Sequence, residues 1–140
     1  MLDPLVGPDL CASSLPREQF VFALNFYSPL FIDQLRKGRK TATIRLGDKS
    51  HKYRSGQIVW ITVGHRQGPK QRIFTAMIEQ VDVKPLRELS QRDIERDTPE
   101  FRRVEDTLNF LSQIYSREVG LDDTVSVVHF TEVIEFPPLD

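Results

Sequence analysis

The sequence has few of the features that would point to a secreted or membrane protein. Its single cysteine, Cys11, excludes an intrachain disulfide, and such usage is typical of a reducing cytoplasm. No apolar run approaches the roughly 18 residues that a membrane span requires. Residues 1–16 contain no Lys or Arg and no long apolar segment, so they do not resemble a signal peptide. We therefore expect a cytoplasmic protein that makes no membrane contact.

Histidines are also scarce, and their spacing does not predict a metal site. His51, His65 and His129 lie far apart, and none has a second His or a Cys at metal-ligand spacing. The sequence also lacks the GxSxG and HExxH motifs of familiar hydrolases. We accordingly predict neither a metal nor a cofactor.

Length and composition predict one compact domain. The chain has 140 residues, of which 39% are apolar, enough for a hydrophobic core. We predict a flexible tail over residues 1–17, which hold three prolines and no periodicity, and a single domain over residues 18–140. The predicted order is strand, helix, three strands, helices and a final strand. Because short turns join the strands, this order favours an α+β fold, a small mixed β-barrel with flanking helices, over a parallel doubly wound sheet.

Three local patterns make specific structural predictions. Residues 28–38 predict a short helix that begins at a Ser-Pro pair and ends at a glycine. Residues 98–120 predict a longer amphipathic helix, from a Thr-Pro start to a final glycine, with its apolar stripe in the core. Trp60 is expected in the core because its strand, residues 57–63, is apolar.

Charge is distributed unevenly along the chain, although the net charge is only −1. Residues 1–72 carry a net charge of +7 and residues 73–140 a net charge of −8. Between residues 36 and 54, eight Lys and Arg residues face a single acidic residue, Asp48. A local basic patch on a nearly neutral protein indicates an anionic ligand that binds at one face.

The densest chemistry lies in residues 35–45, where five cationic side chains and two threonines surround Gly38. Since side chains alternate along a strand, Thr43 and Arg45 face one side of their strand and the apolar residues between them face the core. A lysine desolvated beside them has a lowered pKa and can accept the threonine proton. Lys40 precedes the strand, so regular pleating alone does not place it beside Thr43.

This run resembles the signature of ASCH domains, which belong to the PUA-like superfamily. That signature is a glycine, a lysine two residues later, a Thr or Glu three after that, and an arginine two further on. The four positions are filled here by Gly38, Lys40, Thr43 and Arg45. A weaker similarity extends over residues 20–134, through a polar loop at 50–59 and an acidic helix at 89–97. The resemblance implies a PUA-like β-barrel with a cleft that recognises RNA or a modified nucleoside.

Within this superfamily the run is nearly identical to that of the bacterial N4-acetylcytidine amidohydrolases. The resemblance implies that Lys40 is the base, that Thr43 is the nucleophile and that an acidic residue holds the lysine. The family's glutamate position falls on Asp97, whose side chain reaches about 1.5 Å less. Asp93 or Glu95 can substitute only in a shifted register.

Substrate contacts are expected from residues around this catalytic set. Arg39 or Arg45 would stabilise an oxyanion or hold the base. The full predicted set of substrate-binding residues is Gly38, Arg39, Arg45, His51 and Arg54.

Two alternatives to amide hydrolysis stay open. One is a non-catalytic RNA-binding module, in which the basic stretch contacts phosphates and Tyr53, His51 or Trp60 stacks on a base. The other is a ribonuclease, since an ASCH protein has been linked to RNA cleavage, although no His pair is placed here for phosphoryl chemistry.

Overall fold

The computed structural model describes residues 23–65 and 67–134, so the tail predicted over residues 1–17 lies outside the described part. The described ranges contain strands β1 (Ala23–Phe26), β2 (Ala42–Leu46), β3 (Ile58–Gly64), β4 (Lys70–Pro85) and β5 (Thr124–Glu132), and helices α1 (Phe31–Arg36), α2 (Gln91–Asp97) and α3 (Val104–Tyr115). A 3₁₀ turn, Leu86–Glu88, joins β4 to α2. No helix within these ranges is long and apolar enough to cross a membrane.

The five strands form one mixed sheet in the order β1-β3-β4-β5-β2. β1 runs parallel to β3, and the other pairs are antiparallel. The sheet curls into a half-barrel whose edge strands, β1 and β2, are linked by a hydrogen bond from Arg45 Nη2 to the Asn25 carbonyl (2.8 Å). The predicted α+β fold, a small mixed barrel with flanking helices, is therefore confirmed in the form of a half-barrel.

The core has two parts, and β5 contributes to both. One cluster joins β1, β3, β4 and α1, and it includes Val128 and Phe130 of β5. The other lies beneath α2 and α3 and includes Val125 and Val127. Consequently residues 125–130 are all buried, because both faces of this strand are covered.

The prediction that Trp60 lies in the core is wrong. Its side chain is 45% exposed, whereas Val59 and Ile61 on either side are buried. The alternation of side chains along β3 turns Trp60 outward, where the Arg72 guanidinium lies 4.9 Å from the indole ring centroid.

The predicted ends of the long helix are also wrong. The helix α3 begins at Val104 and stops before Ser116, which adopts the left-handed conformation at φ 53°. Thr98 instead closes α2, because its backbone N–H donates to the Ile94 carbonyl (2.9 Å). A Thr-Pro pair can begin a helix or follow the end of one, and the packing of α2 decides that it follows α2 here.

Candidate functional site

The turn after α1 brings Lys40 into the interior. Gly38 has a φ of 71°, and its N–H donates to the Leu35 carbonyl (3.2 Å) while that of Arg39 donates to the Gln34 carbonyl (2.9 Å). These hydrogen bonds to the last carbonyls of α1 reverse the direction of the chain. The left-handed conformation that this turn requires at residue 38 favours glycine. Lys40 is consequently only 2% exposed, whereas Arg39 remains on the surface.

Lys40 is bound to the C-terminal end of α2. Its Nζ donates to Asp97 Oδ1 (3.1 Å) and to the Asp97 carbonyl. The negative end of the helix dipole adds to this attraction. The ammonium also lies 5.0 Å from the ring centroid of Phe26 and 4.8 Å from that of Phe31. Lys40 is thus a buried cation between aromatic rings with one carboxylate partner.

Burial holds the pKa of Lys40 below its usual value. Desolvation of the ammonium is the largest cause. The charge and the hydrogen bond of Asp97 oppose this effect, and the positive charge of Arg45 adds to it. A lysine whose pKa is lowered in this way has a larger neutral fraction, which can accept a proton.

Asp97 reaches Lys40 because α2 is fastened to β2. Its Oδ1 accepts a hydrogen bond from the Ile44 backbone N–H (3.0 Å), and its Oδ2 accepts one from the Thr98 hydroxyl (3.0 Å). The Thr41 N–H also donates to the Arg96 carbonyl (3.0 Å). These backbone bonds bring the helix close enough for an aspartate to contact the lysine.

Thr43 and Arg45 lie side by side on the same face of β2. The Arg45 Nε donates to Thr43 Oγ1 (3.2 Å). The guanidinium carbon also lies 5.4 Å from the ring centroid of Phe26. Both hydrogen bonds of the Lys40 ammonium within the described residues go to Asp97, so the resting structure holds no Lys40–Thr43 hydrogen bond. Proton transfer between these two side chains would require the Lys40 amine to turn toward Thr43.

These side chains open onto a cavity of about 670 Å³ between the two edge strands and helices α1 and α3. This volume falls within the range of small-molecule sites. The cationic lining residues are Lys40, Arg45, Lys49 and Lys52. Aromatic lining is supplied by Phe26, Tyr27, Phe31, Tyr53, Phe101, Phe110 and Tyr115. The cavity therefore combines a basic side with an extensive aromatic wall, a composition that suits a planar polar ligand.

The structure brings part of the predicted site together. Lys40, Thr43, Arg45 and Asp97 all line the cavity. The other predicted binding residues, Gly38, Arg39, His51 and Arg54, are exposed and do not line it.

The two other acidic candidates lie away from the cavity lining. Asp93 is engaged in the capping box of α2 with Ser90. Glu95 accepts a hydrogen bond from Gln91 (3.0 Å) on the exposed side of the same helix.

Of the aromatic wall, sequence reasoning identified only Tyr53, as a ring that stacks on a base; His51 and Trp60, named with it, do not line the cavity. The spacing along α3 predicts core packing, and Leu111 does pack in the core, but Phe110 and Tyr115 of the same helix line the cavity. The run of basic residues between 36 and 54 was the available signal for Lys49 and Lys52. Nothing local distinguished those two lysines from the basic residues outside the lining, because the loop conformation decides which side chains border the cavity.

Three solved structures share this fold. The ASCH domain of Lactobacillus crispatus JV V101 matches with a TM-score of 0.59 at 16% identity, over 82% of each chain. A DUF984 protein from Enterococcus faecalis V583 matches with a TM-score of 0.59 at 16% identity, over 81% of this chain and 82% of its own. The hypothetical protein PH0355 gives the same TM-score and identity, over 80% of this chain and 98% of its own.

No protein-family model matches the sequence, and no curated protein matches it either. The structural likeness therefore concerns the fold alone, and it confirms the predicted α+β fold, which this chain shares with a solved ASCH domain.

Proposed function

We propose that this protein recognises a nucleoside in its cavity and hydrolyses the amide bond of an N4-acylated cytidine. The observation that carries the proposal is the buried Lys40, whose pKa is lowered and which lines one cavity with Thr43 and Arg45. A desolvated lysine near a hydroxyl and a guanidinium provides a base, a nucleophile and a cation for developing negative charge.

In the first step Thr43 attacks the acyl carbonyl. Its Oγ1 forms a bond to the acyl carbon while neutral Lys40 accepts the hydroxyl proton. The positive charge of Arg45, whose Nε already contacts Thr43 Oγ1 at 3.2 Å, favours the developing alkoxide and the oxyanion that follows.

The tetrahedral intermediate then collapses by breaking the bond to N4. Lys40 returns the proton to N4, which releases cytidine and leaves the acyl group on Thr43. Water then attacks the ester carbon while Lys40 takes a proton from it. The bond from the acyl carbon to Thr43 Oγ1 breaks, Lys40 passes the proton to Oγ1, and the free acid is released. The contact with Asp97 at 3.1 Å positions Lys40 in the resting structure, and the lysine amine turns toward Thr43 for the proton transfers.

The aromatic wall supports a nucleoside as the ligand. Phe26 and Phe31 line the cavity with ring centroids 5.0 and 4.8 Å from the Lys40 ammonium, and rings of this kind stack on bases. The cavity volume of about 670 Å³ accommodates a nucleoside together with a small acyl group.

Incubation of the protein with N4-acetylcytidine, followed by chromatography for cytidine, tests this function. We expect cytidine from the wild type and none from Lys40→Ala or Thr43→Ala. The matched control is Lys37→Ala, since this lysine is 63% exposed and lies outside the cavity lining.

The same variants show whether a loss of turnover reflects chemistry or folding. Circular dichroism should show folded protein for each variant. Absence of cytidine with wild-type protein at micromolar concentration would contradict hydrolysis of this substrate, as would full activity in Thr43→Ala.

RNA binding without catalysis is the second candidate, and the position of Lys49 and Lys52 favours it. Both line the cavity and belong to the basic loop that also carries the exposed His51 and Arg54. Binding of a short RNA would then weaken steeply as salt is raised, because each phosphate contact releases counterions. A titration that is insensitive to salt would contradict this candidate.

A further inference from the structure

A second group of titratable side chains lies outside the cavity lining. Asp82 of β4, Asp93 of α2 and His129 of β5 each turn one ligand-type atom toward the others, and these atoms lie within 4.8 Å of one another. His129 Nε2 is 3.5 Å from Asp82 Oδ2 and 3.6 Å from Asp93 Oδ1. We call these three residues the His129 cluster.

In each carboxylate of the cluster, one oxygen accepts hydrogen bonds from neighbouring residues and the other oxygen faces His129. Asp82 Oδ1 accepts a hydrogen bond from Gln80 Nε2 (2.6 Å). Asp93 Oδ2 accepts bonds from Lys84 Nζ (2.6 Å) and from the Ser90 N–H (3.1 Å). The two remaining oxygens, Asp82 Oδ2 and Asp93 Oδ1, are the atoms nearest to the imidazole. Outer contacts of this kind orient carboxylates that bind a metal.

The imidazole of His129 is buried and poorly satisfied. Its side chain is only 10% exposed, and Nδ1 has no hydrogen-bond partner among the described residues. Its Nε2 lies farther from both carboxylate oxygens than a normal N–H···O bond allows. A buried polar group without partners costs free energy and calls for an explanation. Here Nδ1 is the atom without a partner among the described residues, and Nε2 faces two carboxylate oxygens at 3.5 and 3.6 Å.

We propose that Asp82, Asp93 and His129 form a binding site for a divalent transition metal of the zinc type. A tetrahedral ion with bonds of about 2.0–2.1 Å keeps its ligand atoms about 3.3 Å apart. The observed separations of 3.5 and 3.6 Å from Nε2 need a slight contraction to match, and the two carboxylate oxygens, which lie within 4.8 Å of each other, must also approach. One imidazole nitrogen with two carboxylate oxygens suits zinc better than magnesium or calcium, which select oxygen ligands alone.

The Lys84 ammonium already occupies one side of Asp93, so a metal ion would bind beside it or displace it. The ammonium contacts Asp93 Oδ2, and the Lys84 side chain is 23% exposed, so it can turn toward solvent without a change in the backbone. Repulsion between this ammonium and a divalent ion weakens binding. Removal of the Lys84 charge should therefore tighten metal binding, an effect opposite to that of removing a ligand.

Zinc titration of the chelator-treated full-length protein tests the site directly. Calorimetry with ZnCl₂ in a Cys11→Ser background, which removes the only thiol, should give one ion per chain and a higher melting temperature. Asp82→Asn should weaken binding by about 100-fold or more, and Lys84→Met should tighten it by about 10-fold. CoCl₂ should give the visible absorption of a tetrahedral site, and MgCl₂ should not compete.

The controls separate this site from adventitious binding. His65→Gln changes an exposed histidine outside the cluster and should leave the affinity unchanged. Asp82 is 30% exposed at its side chain, so its variant folds more readily than a variant of the buried His129. The proposal is overturned if wild-type protein binds no zinc, if Asp82→Asn and Lys84→Met bind it as the wild type does, or if MgCl₂ competes equally.

Discussion

Helix α2 carries two aspartates that each bind a lysine from another segment, and the two pairs differ in burial. Asp97, in the last turn, holds Lys40, whose side chain is 2% exposed. Asp93, in the first turn, holds Lys84, whose side chain is 23% exposed. The buried lysine has a lowered pKa and lines the cavity, which suits proton transfer. The other lysine can leave its partner, which suits exchange with a metal ion. Both pairs consist of an aspartate and a lysine. They support different chemistry because the two lysines differ in their exposure to solvent.

Replacing Asp97 and Asp93 one at a time should give the largest difference between the two pairs in the free energy of unfolding. We expect Asp97→Asn to lower the free energy of unfolding by about 3–5 kcal/mol, because it leaves a buried cation unpaired. Asp93→Asn should cost only about 1–2 kcal/mol, since it weakens a helix cap and a partly exposed ion pair. Urea denaturation at neutral pH measures both values. Equal losses would show that burial does not distinguish the pairs.

Replacing the guanidinium beside the buried pair should have the next largest effect. Arg45→Lys loses the paired contacts with Thr43 Oγ1 and the Asn25 carbonyl. We expect turnover of N4-acetylcytidine to fall by about 10- to 100-fold, because a lysine cannot reproduce both contacts. Arg92→Lys, on the exposed face of α2, is the matched control. An Arg45→Lys enzyme with wild-type turnover would remove Arg45 from the mechanism.

The dependence of stability on pH in the alkaline range should report the lowered pKa of Lys40. The folded pKa of Lys40 lies below its unfolded value of about 10.4, so between the two the unfolded chain binds more protons. Stability should therefore rise with pH in this window, by at most about 1.4 kcal/mol per pH unit from this group. Urea denaturation between about pH 7 and pH 10 should show this contribution in the wild type and not in Lys40→Met. Parallel profiles for the two proteins would contradict a lowered pKa.

Acidic pH should weaken the Asp93–Lys84 pair, with a smaller effect on the free energy of unfolding. Burial alone would raise the pKa of Asp93, but hydrogen bonds from Lys84 and Ser90, together with the Lys84 charge, hold it below its usual value. The stability that Asp93 contributes is thus present above about pH 3.9 and is lost as the pH falls through the folded pKa. We expect the stability difference between wild type and Asp93→Asn to shrink over this range. A difference that stays constant down to the acid transition would argue against a lowered pKa.

Much of the architecture could be predicted from local pattern. Alternation along β2 placed its apolar residues in the core and Thr43 and Arg45 on the other face, as the structure has them. The same rule accounts for the burial of Val59 and Ile61, and the misplacement of Trp60 came from ranking its apolar character above that rule. Helix ends were less predictable, since Thr98 and Gly120 have residue types that fit several roles.

The sequence by itself determined the motif, the alternating faces, the glycine that ends α1 and the uneven distribution of charge. These features depend on neighbouring residues, whose geometry the backbone sets locally. Only the tertiary structure decided that Asp97 reaches Lys40 across 57 residues and that His129 meets two aspartates from other elements. Such contacts depend on how α2 lies against the sheet, and burial there alters the pKa of Lys40 because the surrounding groups exclude water.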